Sequence, residues 1–169
     1  ILSGLVGSEM CIRDRPSLRD LSLQNLGLVY ERTEPVEKAV DLMRKAISKV
    51  STTAIKIEML NNLGLFCERN LKFSEAIHAL EKSLELNPAQ TKVMWHLVSD
   101  RRKLCQWPEY RALPNVSSEM LETYTPPLMA LGITDDPAVQ VRASRRLCSE
   151  VTQVDGSRFV CAPKNEGER

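Results

Sequence analysis

Residues 57–88 read IEMLNNLGLFCERNLKFSEAIHALEKSLELNP, and they carry the strongest structural signal in the chain. Their small and apolar residues have the spacing of two helices joined by a short turn, with Gly64 facing Ala76 where the helices approach most closely. A larger side chain at this crossing would push the helices apart. One such pair leaves an apolar side uncovered, so the sequence predicts further pairs stacked against it.

A second copy of this pattern precedes the first. When Gly27 is aligned with Gly64, the surrounding small and apolar positions also correspond in size. The aligned pairs are Leu23 with Leu60, Leu26 with Leu63, Tyr30 with Cys67, Ala39 with Ala76, Met43 with Leu80, and Ala46 with Ser83. The glycines are 37 residues apart, whereas the usual spacing of such repeats is about 34 residues. We therefore expect the extra residues in a loop around residues 49–53.

The pattern resembles the tetratricopeptide (TPR) repeat, a helix pair that stacks into a solenoid and binds other protein chains. It predicts an all-α fold of two full repeats and a partial third, followed by an irregular helical linker. Asn87 and Pro88 suit the start of a helix, so the third repeat should begin near Pro88 and run to about Leu104. Trp107 and Pro108 then interrupt the pattern. The alternative is a helical bundle that matches by chance, which two copies in tandem disfavour.

The chain divides into four predicted segments. Residues 1–15 end in SEMCIRDR and resemble translated sequencing-adapter read-through, so we treat them as non-native. A secretory segment is the alternative, but the apolar run is short and has no basic residues ahead of it. Residues 16–104 are the predicted repeats, residues 105–151 a helical joint, and residues 152–169 a polar tail.

Composition limits the kinds of partner. The formal net charge is only +1, which favours neither nucleic acid nor a membrane surface. No apolar run has the length of a membrane span. The five cysteines are scattered without a C-x-x-C pair, so we expect a reduced, cytoplasmic protein in which Cys67 and Cys105 pack as small apolar residues.

Three asparagines and a histidine are the candidate peptide-binding residues. Asn25 and Asn62 each precede the Leu-Gly pair of a first helix, which places them on the concave side of TPR arrays. An amide both donates and accepts hydrogen bonds, so it can hold the backbone of an extended peptide. Asn61 is the neighbouring amide, and His96 takes the place of Asn62 in the third repeat. The alternative is that these amides bridge adjacent repeats or face water.

No residue pattern suggests chemistry within this chain. The sequence has no Gly-rich phosphate loop and no metal-ligand cluster. Its two histidines, His78 and His96, lie within predicted helices of the repeats. We therefore predict no catalytic residue, no metal site and no cofactor site.

The segment after the repeats has a distinctive residue order. The residues concerned are Cys105, Trp107, Pro127, Leu128, Leu131, Asp135, Asp136, Pro137, Gln140, Arg142 and Ala143. Their order resembles the joint between the TPR array and the catalytic region in bacterial-type protein O-GlcNAc transferases, the SPINDLY-like glycosyltransferases. The resemblance implies a parent enzyme that transfers GlcNAc from UDP-GlcNAc to Ser or Thr of proteins, with this chain as its substrate-presenting arm and the catalytic lobes missing. The alternative is a stand-alone TPR adaptor for protein–protein interaction.

Local chemistry within the joint gives separate predictions. Asp136 should cap the start of a helix, and Trp107 should be a structural plug bonded to a carbonyl. Basic residues in this region should form solvated surface or complement a helix end: Arg101, Arg102, Lys103, Arg142, Arg145 and Arg146. The apolar stripe of the last helix should consist of Val139, Ala143, Leu147 and Val151.

Overall fold

The computed structural model describes residues 16–151, and every regular element in that range is a helix. One isolated bridge pairs Leu113 with Val116. The prediction of an all-α, TPR-type fold is therefore confirmed. The helices are α1 (Pro16–Thr33), α2 (Val36–Lys49), α3 (Thr53–Arg69), α4 (Phe73–Leu86), α5 (Thr91–Lys103), α6 (Ser118–Thr123), α7 (Pro127–Leu131) and α8 (Pro137–Val151).

The described chain falls into two compact units, residues 16–124 and residues 125–151. In the first unit α1 packs on α2, α3 on α4, and α4 on α5. These pairs share one core, which forms because small and branched residues of each second helix meet the apolar side of the first helices. Its central members are Ala39, Met43, Leu60, Leu63, Phe66, Cys67 and Ala76.

The two aligned glycines have different surroundings. A Cβ atom placed on Gly64 would lie 2.5 Å from Cδ2 and 2.9 Å from Cγ of Leu80, so the close crossing of α3 and α4 is confirmed. A Cβ on Gly27 would meet only Cε of Met59, at 3.7 Å. Alignment with Gly64 and Ala76 predicts that Gly27 meets Ala39 at a helix crossing, and this is wrong, because Gly27 borders the next repeat through a flexible methionine.

Residues 50–52 form the predicted loop between α2 and α3, and α3 also adds a turn ahead of the repeat pattern. Helix α2 ends at Lys49 and α3 begins at Thr53, before Ile57, where the repeat pattern starts. Asp20 of α1 accepts hydrogen bonds from the backbone N–H groups of Ser51 (3.0 Å) and Thr52 (2.6 Å). This carboxylate thereby satisfies N–H groups at the start of α3 that the helix itself leaves unpaired.

Helix α5 begins three residues later than the Asn87–Pro88 pair suggests. Asn87 closes a turn instead, since its Oδ1 accepts a hydrogen bond from the backbone N–H of Ala89 (3.0 Å). The residue preceding the helix is Gln90, and the helix runs from Thr91 to Lys103.

The segment after α5 is held by an arginine rather than by the predicted tryptophan. Trp107 is 64% exposed, so it is not a structural plug. Arg101 is fully buried and donates hydrogen bonds to the carbonyls of Glu109 (3.1 Å) and Arg111 (2.7 Å). Its other terminal nitrogen lies 2.8 Å from Oε1 of Glu81. The sequence-based assignment of Arg101 to a solvated surface is wrong, because its guanidinium finds carbonyl and carboxylate partners inside the fold.

In the second unit α7 packs on α8. Asp136 caps α8 as predicted, with its Oδ1 accepting a hydrogen bond from the N–H of Ala138 (2.8 Å). Of the predicted stripe, Ala143 is buried and Val139 half-buried, but Leu147 is 42% exposed. The side chain of Val151 lies outside the described residues. Arg146 is half-buried and donates to the carbonyl of Thr125 (3.3 Å), so it too is more than solvated surface.

Candidate functional site

The candidate binding residues belong to the first helices α1, α3 and α5, and we call the side of these helices that carries Asn25, Asn62 and His96 the first-helix face. Asn25 belongs to α1, Asn61 and Asn62 to α3, and His96 to α5. Asn25 is exposed, whereas Asn61, Asn62 and His96 are half-buried. Their side-chain environments separate them into two groups.

Asn25 and Asn62 keep their amide groups available. Within residues 16–151, neither amide forms a hydrogen bond with another residue. Both therefore retain two donors and an acceptor oxygen for an outside partner. The prediction that these two residues contact a peptide is compatible with this geometry and remains a prediction.

Asn61 has a different environment. Its Nδ2 donates to Oε1 of Gln90 (2.7 Å), and its Oδ1 accepts a hydrogen bond from the hydroxyl of Ser83 (2.6 Å). Gln90 in turn donates to the carbonyl of Ser83 (3.1 Å) and to that of Asn87 (2.9 Å). Asn61 thus joins α3 and α4 to the turn before α5, as the bridging alternative describes.

His96 is also engaged within the fold. Its Nδ1 lies 2.7 Å from Oε2 of Glu68, and its ring stacks on that of Trp95 with centroids 5.1 Å apart. The other oxygen of Glu68 accepts a hydrogen bond from Nζ of Lys103 (2.9 Å). One carboxylate of α3 therefore holds two residues of α5, and His96 is oriented before any ligand binds.

A second ion pair joins the preceding first helices. Nη2 of Arg69 on α3 lies 2.6 Å from Oε1 of Glu31 on α1. Together with the Glu68 contacts, this pair links α1 to α3 and α3 to α5 across the first-helix face. Such exposed pairs contribute little stability, about 0.2–1 kcal/mol each. Their main effect is to fix the lateral position of side chains that border the face.

A buried carboxylate lies next to this network. Asp100 is fully buried and accepts a hydrogen bond from Lys103 (3.0 Å) through Oδ1. Its burial raises the pKa of the carboxyl. Burial also opposes the charge of Lys103, but the hydrogen bonds from its amine to Glu68 and Asp100 outweigh that effect and raise its pKa. Lys103 therefore stays charged at neutral pH.

A groove of about 610 Å³ opens between α3 and α5 on the first-helix face. Its apolar walls come from Leu65, Leu71 and Phe73, and its charged edge from the Glu68 network and Arg69. Nζ of Lys103 lies 4.7 Å from the centre of the Phe73 ring, a cation–π contact that holds the ring in place. Leu71 is 75% exposed and has a φ of 59°, a left-handed conformation that presents its side chain outward.

A repeated sequence pattern marks this face, and it includes other residues besides the asparagines. Helices α1 and α3 both carry N-x-x-L-x-x-x-R, namely Asn25, Leu28 and Arg32, and Asn62, Leu65 and Arg69; in α5 the same positions are His96, Ser99 and Lys103. Offsets of three and seven residues return to one side of a helix. Leu65, Arg69 and Lys103 thus belong to the candidate site, although sequence reasoning concentrated on the amides.

Other kinds of site find no support in the described range. No group of three potential metal ligands occurs among residues 16–151. No described helix has both the length and the apolar character needed to cross a bilayer. Cys67 is buried as predicted, and burial raises the pKa of its thiol to about 11. Cys105 is exposed, which corrects the prediction that it packs as an apolar residue.

Comparison with known families identifies the second helix pair. Residues 57–90 match the tetratricopeptide repeat model, which covers α3 from Ile57 onward, α4 and the turn before α5. No curated protein and no solved structure matches the chain. The helix pairs and this match define a protein-interaction module of the helical-repeat class.

Proposed function

We propose that the first-helix face binds an extended peptide segment of a partner protein. The observation that carries this proposal is the pair of uncommitted amides, Asn25 and Asn62, at equivalent positions of α1 and α3. Each amide can donate to a peptide carbonyl and accept from a peptide N–H, which requires no particular peptide sequence. Selectivity then comes from the groove beside Leu65 and Phe73, which has room for an apolar side chain.

The expected affinity is low. A hydrogen bond exchanged with water contributes only about 1 kcal/mol. Ordering a flexible peptide and losing its translational freedom costs several times more. Two amides and one apolar anchor therefore give a high-micromolar dissociation constant or a weaker one.

The test uses a Ser/Thr-rich peptide of about ten residues with one central leucine, long enough to span about 33 Å when extended. It is titrated into the ¹⁵N-labelled chain and followed by NMR. We expect shifts concentrated on α1, α3 and α5, and weaker binding by the Asn25→Ala, Asn62→Ala double variant. Lys45→Ala, on the exposed side of α2, serves as the control and should bind like the wild type. Shifts spread evenly over α2 and α4 would contradict the proposal.

A finer proposal concerns the parent protein. The order of residues from Cys105 to Ala143 supports a substrate-presenting arm of a protein O-GlcNAc transferase-like enzyme, for which UDP-GlcNAc is the donor. A stand-alone adaptor is the competing proposal, and it has no need of that residue order. Genomic sequence downstream of Leu147 separates the two, because catalytic lobes would support the arm and a stop codon would support the adaptor. Incubation of the chain with UDP-GlcNAc and the peptide should give no glycosylation.

A cytoplasmic location also belongs to this proposal. It is supported by Cys67 and Cys105, neither of which forms a disulfide within the described range. Free thiols suit a reducing compartment.

A further inference from the structure

A second groove lies on another side of the repeats, between the two second helices. It has a volume of about 680 Å³. Helices α2 and α4 form its walls, and α3 forms its floor. The apolar lining comes from Ile47, Leu60, Leu63, Ala79 and Leu86. None of these residues belongs to the first-helix face, so this groove is separate from the site of the proposed peptide binding.

The rim of this groove is strongly basic. Arg44 of α2, Lys56 of α3, and His78 and Lys82 of α4 all line it, while Glu85 is the one acidic lining residue. Within the described residues, neither Lys56 nor Lys82 has a carboxylate partner. Nη1 of Arg44 lies 4.0 Å from Oδ1 of Asp41 on the same helix, so Lys56 and Lys82 are the rim cations that keep their charge unpaired within the described residues.

The geometry of the groove follows from the insertion between the repeats. The added first turn of α3 includes Lys56 and places it at the rim. At the other end of the second helices, Nζ of Lys72 lies 3.1 Å from Oε1 of Glu37 and joins the beginnings of α4 and α2. The groove accordingly runs beside the later turns of both helices.

We propose that this groove binds an acidic amphipathic helix of a partner protein. The lining residues of α4 run from His78 to Leu86, which corresponds to about 12 Å or about two helical turns. A helix laid between α2 and α4 would cover the apolar floor and place its flanking carboxylates beside Arg44, Lys56 and Lys82. Helices commonly bind apolar grooves in this way, through anchors on one face. Charge complementarity at the rim selects an acidic partner over a basic one.

The experiment uses a synthetic helical peptide with leucines on one face and glutamates flanking them. A matched peptide carries lysines in place of the glutamates. Each is titrated into the full chain and followed by fluorescence anisotropy and ¹⁵N NMR. We expect the acidic peptide to bind, with shifts around Ser48 and Lys82, and the basic peptide not to bind. Affinity should fall as salt is raised, because the rim charges are exposed.

Two charge reversals test the location of binding. Lys82→Glu alters the rim, whereas Lys45→Glu makes the same change in net charge on an exposed part of α2 outside the groove. We expect Lys82→Glu to weaken binding by up to about fivefold, the upper end of the range set by an exposed ion pair. Lys45→Glu should leave it nearly unchanged. Equal weakening by both variants, or equal binding of both peptides, would overturn the proposal.

Anionic lipid is the competing class of ligand and is tested in a separate experiment. Vesicles of phosphatidylglycerol are mixed with the chain and its Lys82→Glu variant. Vesicle binding that depends on Lys82, without binding of the acidic peptide, would assign the groove to a lipid surface and refute the proposal. In a last titration, the Ser/Thr-rich peptide proposed to bind the first-helix face is added as a competitor. Displacement of the acidic helical peptide by it would show that the two grooves are not separate and would contradict the proposal.

Discussion

The close crossing at Gly64 predicts opposite effects for one substitution made at two equivalent positions. Replacing a helix-interior glycine with alanine normally stabilises a protein by about 0.5–1 kcal/mol, because alanine loses less conformational freedom on folding. At Gly27 the new methyl group would lie 3.7 Å from Cε of Met59, an ordinary contact. We expect Gly27→Ala to gain that stability in full.

At Gly64 the same methyl group would lie 2.5 Å from Leu80 Cδ2, closer than carbon atoms pack. Leu80 is 1% exposed, so its side chain has little space into which to move. Overpacking of a filled core costs about 1–3 kcal/mol. After the alanine gain is subtracted, Gly64→Ala should destabilise the protein by about 0.5–2 kcal/mol. Gly64→Leu should cost about 2–4 kcal/mol.

Urea denaturation followed by helical circular dichroism measures these differences. A double-mutant cycle with Leu80→Ala tests the cause, because removing the Leu80 side chain should relieve most of the penalty at Gly64 and leave Gly27→Ala unaffected. The reasoning is refuted if both alanine variants are stabilised to the same extent. It is also refuted if the cycle shows no coupling between positions 64 and 80.

The remaining predictions concern polar groups. The Thr52 side chain and the backbone N–H groups of Thr52 and Ser51 lower the pKa of Asp20 below its ordinary value of 3.8; Asp20→Asn should therefore reduce the melting temperature at pH 7, and the difference from wild type should shrink as the pH falls through that lowered pKa. Asn61→Ala should lower the free energy of unfolding by about 1–2 kcal/mol, because Ser83 and Gln90 lose their shared partner. Asn62→Ala should change it by less than about 0.5 kcal/mol. If Asn62→Ala melted at the lower temperature of the two, the roles of the amides would be misassigned. Arg101→Ala should cost about 3 kcal/mol or more, since it leaves carbonyls and Glu81 without their donor; an unchanged urea midpoint would contradict this.

The helix pairs could be read from sequence because their signal is local. Small residues such as Gly64 and Ala76 recur at offsets set by helix geometry, and no distant partner is needed to recognise them. The surroundings of Gly27 could not be read in this way, because Met59 reaches it from the next repeat. For the same reason the sequence does not show that Asp20, in a helix far earlier in the chain, accepts hydrogen bonds from the N–H groups of Ser51 and Thr52 ahead of α3.

In the candidate site, too, distant contacts decide what the sequence alone does not show. Asn61 and Asn62 are adjacent and identical in chemistry, but successive residues of a helix point about 100° apart. One amide meets Gln90, 29 residues away, while the other has no partner among the described residues. The sequence alone cannot rank them. Charge predicts an exposed Arg101, but the carbonyls of Glu109 and Arg111 allow its burial, and the sequence does not show that these carbonyls lie beside it.

The contact between Asp20 and the start of α3 also bears on how the repeats fold together. In a linear array, stability is the sum of each repeat's own contribution and the terms between neighbours. The Asp20 hydrogen bonds belong to the second kind, since the carboxylate comes from the first repeat and the N–H groups begin the second. The N–H groups of Ser51 and Thr52 therefore have this acceptor only when α1 is in place. We expect fraying of α1 to loosen the start of α3 as well, so that the two repeats are coupled in unfolding.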